Sequence, residues 1–477
     1  MAMSLLTKQH HIKLLNMLLI AAIALLFTNC NNGQAPQSTP HPQVAPAPAP
    51  APQGKTYTLT PDGNGRLNVN DINRYYKPGD VLILKGNFSA IYFTNLNGSA
   101  SAPITIKNPP GAVTTIGNPN WNGGSWAEAF SFTNCHYLKI GSDKNKANFL
   151  IKGSTQAGRP AYFDLILRGH TDNIEIRNLT ITNGGTGIWA KTDPVRADRS
   201  TWHPNSQMEN LSIHDVEISG THNEAMYIGH TATYWDLTAG LSFYDPPSKF
   251  KPGHDYVQPI KWHNVKIYNN YVHDIGADGI QTSAIDQLEI YNNEVTNWAL
   301  QHNSAHNGGI LLGGRTTNTN THDNYVHNGW GELLQFYGSG ENGAKHVIRN
   351  NLFRDNMEGN DGVSIRGTDN AIVIISNNTI ARTGGNSIRL SGYRGMKGTQ
   401  IANNNALIQP RTGGTPLYPN AYIYTEGGAV VEEGTGSNAN AKFATVAAAD
   451  VDKENFYLPN SSSPVADCGY RKKGKTE

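Results

Sequence analysis

The sequence predicts an all-β chain, a single-stranded right-handed parallel β-helix with long loops walling a groove on one face. Three observations predict it. Only 16% of the 477 residues are charged, against roughly a quarter in an average domain, while Gly counts 49 and Asn is abundant and often doubled, as in Asn269-Asn270, Asn350-Asn351 and Asn377-Asn378. From residue 173 short strands of alternating apolar residues recur in register. No helix-period pattern long enough to cross between parallel strands appears in the repeat region. This composition excludes a coiled coil, a helical bundle and a charged disordered chain, and fits short strands joined by Gly/Asn turns. Lys+Arg 38 against Asp+Glu 37 leaves a net charge of +1, which attracts no polyanion and argues against a nucleic-acid partner.

Residues 1–29 read as an address. Lys8, His10, His11 and Lys13 form a basic start, and Leu14 to Phe27 is apolar apart from Asn16, the pattern of a secretory signal. The run ends in Leu26-Phe27-Thr28-Asn29-Cys30. A Cys directly after the apolar run resembles the lipobox of bacterial lipoproteins, which implies lipidation of Cys30 and an anchor in the outer membrane or at the cell surface. Asn29 stands where that motif carries a small residue, and an ordinary signal peptide with an incidental Cys is the alternative. Residues 30–55 form a disordered linker; its part from 33 to 54 holds seven Pro and no charge, an extended spacer. Lys8 and Lys13 leave with the address, so the mature chain carries 36 bases against 37 acids. Cys135 and Cys468 lie far apart, and the fold is expected to stand without a disulfide.

Residues 56–470 form the β-helix, and 471–477 a basic disordered tail. Successive units carry an Asn or Asp, a short strand, a turn and a second strand. The second strands run over 187–192, 225–230, 279–284, 309–314, 333–338, 362–367 and 387–392, with Asn178, Asp215, Asn270, Asn293, Asn324, Asn351 and Asn378 upstream. Coils of two or three strands, stacked at about 4.8 Å with a ladder of Asn at their corners, make the parallel β-helix.

The start of this body, Pro78-Gly79-Asp80-Val81-Leu82-Ile83-Leu84-Lys85-Gly86 followed by Ala102-Pro103-Ile104-Thr105-Ile106-Lys107, resembles the opening coils of pectin-lyase-like β-helix proteins. It is most similar to the chondroitinase B and alginate lyase branch. Asn455-Phe456-Tyr457-Leu458 and Ser463-Pro464-Val465-Ala466-Asp467 resemble the last coil of many such bacterial proteins. The resemblance implies a carbohydrate-active protein. Lyases of that branch use a Lys base, an Arg partner and acidic or amide Ca²⁺ ligands, and their motif does not align residue by residue with this chain.

With the alternating apolar residues turned inward, one outward column reads Trp189, Tyr227, Gln281, Leu311, Gln335, Ser364 and Arg389. A second reads Lys191, Gly229, Ser283, Gly313, Tyr337, Arg366 and Ser391. Just ahead of the strands comes Thr186, Glu224, Asp278, Gly308, Glu332, Asp361 and Asn386. Rings stack on sugar faces and planar polar groups bond hydroxyls, so Trp189, Tyr227, Gln281, Gln335 and Tyr337 suit a glycan. Ala225 to Gly279 takes 54 residues, and the excess at 232–259 contains Trp235, a further sugar-binding candidate, and His254. The loop after Lys191 is also long. Long ordered loops are usually functional, and these two would wall a groove. Arg315 and Arg394 lie just past strands on the same edge, where they would bind an anionic chain or only water.

Two reaction classes and one binding role stay open. Elimination on a uronate-containing polysaccharide needs a base and a counter-charge. Lys191, His230, Arg366 and Arg389 supply candidate bases and clamps, and Glu224 with Asp278 could hold Ca²⁺ through oxygen ligands, Glu332 with Asp361 forming a second such pair. This lyase reading is the leading expectation. A glycoside hydrolase would use paired carboxylates one or two rungs apart, about 5 or 10 Å. A surface glycan-binding or adhesion protein would use the aromatics alone. Asp278-Gly279 and Asp361-Gly362 are also ordinary turn chemistry. His222, His263, His273, His302, His306, His322 and His327 read as turn or ladder residues without a tight ligand motif. A monomer acting on a polysaccharide is expected.

Overall fold

The computed structural model describes residues 54–337, 341, 343–356, 359–367, 371–392, 400–411 and 422–471. The leader, Cys30, the Pro-rich spacer, Arg394 and residues 472–477 lie outside them. The body is a right-handed parallel β-helix. Each coil passes through a first sheet of 13 strands (Thr56–Leu59 to Val431–Glu433), a second of 12 (Asn87–Phe88 to Ala441–Phe443) and a third of 12 (Arg66–Asn70 to Ile423–Glu426). Strands within each pair in parallel, coil upon coil. Period-2 alternation sends every second side chain inward. In the third sheet Ile188, Met226, Ile280, Ile310, Leu334, Val363 and Ile388 stack in one such row, all sealed from solvent. Each buried side chain of this size contributes about 1.5–3 kcal/mol, and the rows join into one long core.

The corners explain the Asn content. Asn270, Asn293, Asn324, Asn351, Asn378, Asn405 and Asn440 form a ladder, each Nδ2 donating to the next Oδ1 at 2.9–3.0 Å. The residue before each of the first six is a separate device. Asn269, Asn292, Asp323, Asn350, Asn377 and Asn404 turn the corner at φ of 51–57°, a left-handed conformation that Asn and Asp tolerate. Asn178 and Asp215, expected in the ladder, belong to this second set at φ of 47° and 55°. Buried Leu179 and Val216 follow them where later coils have Asn, and the Val216 N–H donates to Asn270 Oδ1.

The two long loops join each other. Trp202–His203 from the first pairs with Tyr256–Pro259 from the second, which pairs with Tyr234–Asp236 and it in turn with Leu241–Phe243, all antiparallel. Phe250 stacks on Tyr256 at 4.0 Å, and Arg196 bridges the loops to Asp255 at 2.6 Å.

The C-terminal segment is not a coil. Beyond Ala441–Phe443 the chain forms a short helix, Val446–Ala449. It then lays Val451, Tyr457, Val465 and Cys468 against Leu352, Ala381, Ala406 and Ile408 on the outer face of the second sheet. Those strands are apolar on both faces, so their outer stripe needs a cover. Arg471, assigned by sequence to the tail, is held in place: its N–H donates to Asn350 Oδ1 at 2.7 Å and its carbonyl accepts from Asn350 Nδ2.

Candidate active site

The outward columns of the third sheet fall in the register expected from sequence. Trp189 pairs with Tyr227, Tyr227 with Gln281, and so on through Leu311, Gln335, Ser364 and Arg389. One edge of this sheet, where each strand begins, bears the acidic column, and the strand ends lead to the loop sheet. Between these edges Phe163, Trp189 and Tyr227 touch ring to ring, with centroids 5.0 and 4.8 Å apart. They wall a cavity of about 260 Å³ that also receives Glu224, Gln301, Asn303 and His306.

Glu224 and Asp278 occupy successive rungs of the acidic column. Asp278 is fully buried; its Oδ1 accepts the Gly308 N–H at 2.6 Å, while Oδ2 has no hydrogen bond. His306 reaches back over them from the loop before Gly308. Its Nδ1 lies 3.4 Å from Asp278 Oδ2 and 3.5 Å from Glu224 Oε1, and one ligand atom from each of the three falls within 4.8 Å of the others. Gly308, the next position in the column, adds no side chain. Burial, reinforced by the Asp278 charge, pushes the Glu224 carboxyl above its ordinary range. Burial also pushes Asp278 up, against the opposing pull of His306. The Asp278 carboxylate raises His306 despite partial burial. The cluster therefore raises the proton affinity of both carboxyls and sets an imidazole against a buried acid. Clefts holding such perturbed groups are where acid–base chemistry concentrates.

His306 was read as a turn residue. It stands two residues ahead of Gly308 in the acidic column, the position His222 holds ahead of Glu224, and counting back along the column would have found it.

The other candidates are placed as follows. Lys191 Nζ lies 5.0 and 5.4 Å from the Trp189 and Tyr227 ring centres and 3.6 Å from Asp193. His230 is buried; its Nδ1 accepts the Ala232 N–H, its Nε2 faces Asp193 at 3.1 Å, and burial holds its pKa low. Arg366 donates to Glu332 at 2.7 Å. Arg389 lies 3.7 Å from Asp361 and donates to Glu426, so both carboxylates of the second acidic pair face guanidinium groups. Gln281 and Gln335 point outward yet are only 3% and 2% exposed, Gln335 bonding Asn307 at 2.6 Å. Tyr337 is exposed beneath Arg366. Trp235 sits inside the loop sheet, edge-on to His230 at 5.5 Å. Arg315 lies away from the cluster, past the third-sheet strand Gly308–Gly313.

A larger open depression of about 530 Å³ lies on the outer face of the first sheet, among Lys139, Glu175, His214 and Tyr268. There the His214 hydrogen bond, with Arg177 and Lys139, holds Glu175 down to about 2. Its charges neutralise one another, unlike those of the Glu224 cluster.

No family model and no curated protein matches the chain. Solved structures resemble it at low identity. The GH136 lacto-N-biosidase from Eubacterium ramulus is 14% identical with a TM-score of 0.48, over 78% of this chain and 63% of that one. An alginate lyase from a Paenibacillus species is 12% identical, TM-score 0.38, over 77% and 99%. The A-module of the Azotobacter vinelandii mannuronan C-5 epimerase AlgE4 is 13% identical, TM-score 0.35, over 82% and 87%. The likeness is one of fold. The chain spans 63% of the length of the lacto-N-biosidase it matches.

Proposed function

We propose that the protein is a carbohydrate-active enzyme that cleaves a glycosidic bond by hydrolysis at Glu224, Asp278 and His306. The observation that carries this reading is the approach of these three groups within 4.8 Å beside a cavity walled by Phe163, Trp189 and Tyr227. Trp189, half-buried, offers its ring to a sugar, with buried Phe163 and Tyr227 packed against it. Glu224 borders the cavity, and burial with the Asp278 charge raises its proton affinity, so it is the group placed to donate a proton to the leaving glycosidic oxygen. Asp278, sealed beneath, faces His306 Nδ1 at 3.4 Å and leaves the other ring nitrogen to take a proton from water. That water adds to the anomeric carbon as the bond to the leaving oxygen breaks.

Elimination is the second reading, favoured by Lys191 against the Trp189 and Tyr227 rings. It asks two carboxylates and one imidazole to accept a uronate carboxylate, which repels unless a divalent cation intervenes. Two carboxylates with a histidine suit a borderline ion better than Ca²⁺, which takes six to eight oxygens. The signal and Cys30 would place the enzyme on the cell envelope, facing polysaccharide outside.

The test follows reducing ends and ultraviolet absorbance together on neutral and uronate-containing polysaccharides. Reducing ends without absorbance are expected, and Glu224→Gln is expected to lose at least ~100-fold in kcat while still binding glycan. An unsaturated product, or undiminished turnover by Glu224→Gln, overturns hydrolysis at this cluster.

A further inference from the structure

A second charged site lies where the chain passes from the third sheet to the first. Lys261 opens a first-sheet strand, Lys261–Tyr268, and Arg315 follows a third-sheet strand, so both reach the same corner. Each side chain is 6% exposed. Arg315 Nη1 donates to the Pro259 carbonyl at 2.8 Å, whereas Nε and Nη2 are buried with no hydrogen-bond partner. A buried guanidinium with two idle donors is costly unless an anion completes it. One carboxylate approaches both cations. Glu341, half-exposed, brings Oε2 to 3.2 Å from Lys261 Nζ and Oε1 only to 3.9 Å from Arg315 Nε.

Lys261 and Glu341 line a cavity of about 320 Å³ with His203, Gln207, Asp286 and Thr317. Asp286 does not compete for the cations: its Oδ1 accepts from Thr317 at 2.6 Å and Asn318 at 2.8 Å, and its Oδ2 faces His263 at 3.9 Å. We propose that Lys261 and Arg315 form a site for an oxyanion, a carboxylate or sulfate group, whose place Glu341 partly occupies. One neighbouring group, His203, registers the positive field, and Arg315 itself registers its burial. Burial, with the charges of Arg315 and Lys261, holds His203 below its ordinary pKa, and burial brings Arg315 down to about 10. Arg315 fits bidentate recognition of a planar anion, and Lys261 adds a point charge. The site stands apart from Glu224, so its test is independent of turnover.

The experiment is calorimetric titration of the full chain at constant ionic strength. Inorganic sulfate, glucuronic acid, and uronate-bearing and neutral oligosaccharides of equal length are compared. Saturable binding of sulfate or glucuronic acid is expected, roughly tenfold tighter in Glu341→Gln, where a like charge is removed, and lost in Lys261→Met. Tighter binding of the uronate oligosaccharide than of glucuronic acid would make the anion part of a glycan; equal binding would make it a free small ion. Absence of saturable anion binding in both wild type and Glu341→Gln, or weaker binding in Glu341→Gln, overturns the proposal. Glu341 is half-exposed, so that variant keeps the fold and the test stands even if Lys261→Met does not fold.

Discussion

Asp278 touches no solvent, yet it shifts the titration of both groups beside it. Its charge raises the proton affinity of both Glu224 and His306. Asp278→Asn keeps an oxygen for the Gly308 N–H but removes the charge. Glu224 then loses its proton at lower pH, and so does His306. Both limbs of the kcat/KM profile are expected to move toward acid, with kcat falling roughly 100-fold. A shift of one limb alone would show that the three groups are not coupled. At this scale the sequence was partly legible. Glu224, Asp278, Trp189 and Tyr227 could be read because each strand shows one face outward at every second position. His306 could not be read from strand periodicity, since a loop carries it back over the column. The pairing of Arg366 and Arg389 with acids was equally hidden, because it depends on where long side chains end.

Coils and corners are the next scale. The doubled Asn looked like one signal and is two: the first residue supplies a left-handed turn, the second a buried ladder amide. Asn178 and Asp215 show the difference, for they turn the corner while Leu179 and Val216 take the inner place. The ladder amides are costly to lose. Asn324 bonds Asn293 and Asn351 and also gives Nδ2 to the Ile290 carbonyl. Asn324→Ala strands several of these groups, at about 1–3 kcal/mol each. A loss of about 3 kcal/mol or more is expected in urea unfolding, against less than about 0.5 kcal/mol for exposed Asn455→Ala. Equal effects would remove the ladder's structural role. The long loops were legible as ordered segments but not as partners, since antiparallel pairing between segments 55 to 57 residues apart leaves no local pattern.

For the whole molecule, repetition made the architecture readable long before any single contact. A row that recurs coil after coil specifies itself many times. The same stacking places acids above one another along the groove, and the fold is destabilised by their ionisation. Burial and the neighbouring Glu332 push Asp361 up to about 6, against an ordinary value near 4. The folded state then keeps a proton that the unfolded chain releases. The resulting stabilisation is full below about pH 4 and disappears as pH rises through 6, up to about 3 kcal/mol. Asp361→Asn still accepts the Asn386 N–H through Oδ1 and is expected to flatten that part of the pH–stability curve, measured by urea midpoints between pH 4 and 7.

The C-terminal segment bears on how the chain comes to be folded at all. A chain growing from its N-terminus can lay each coil on the last, because ladder partners lie only 23 to 35 residues apart. The apolar stripe of Leu352, Ala381, Ala406 and Ile408 has no such nearby cover. It stays bare until the ribosome has supplied Arg471, 121 residues beyond its partner Asn350. During that interval the unfinished solenoid presents a sticky flank, and the strands between Leu352 and Ile408 become the stretch a chaperone would have to hold.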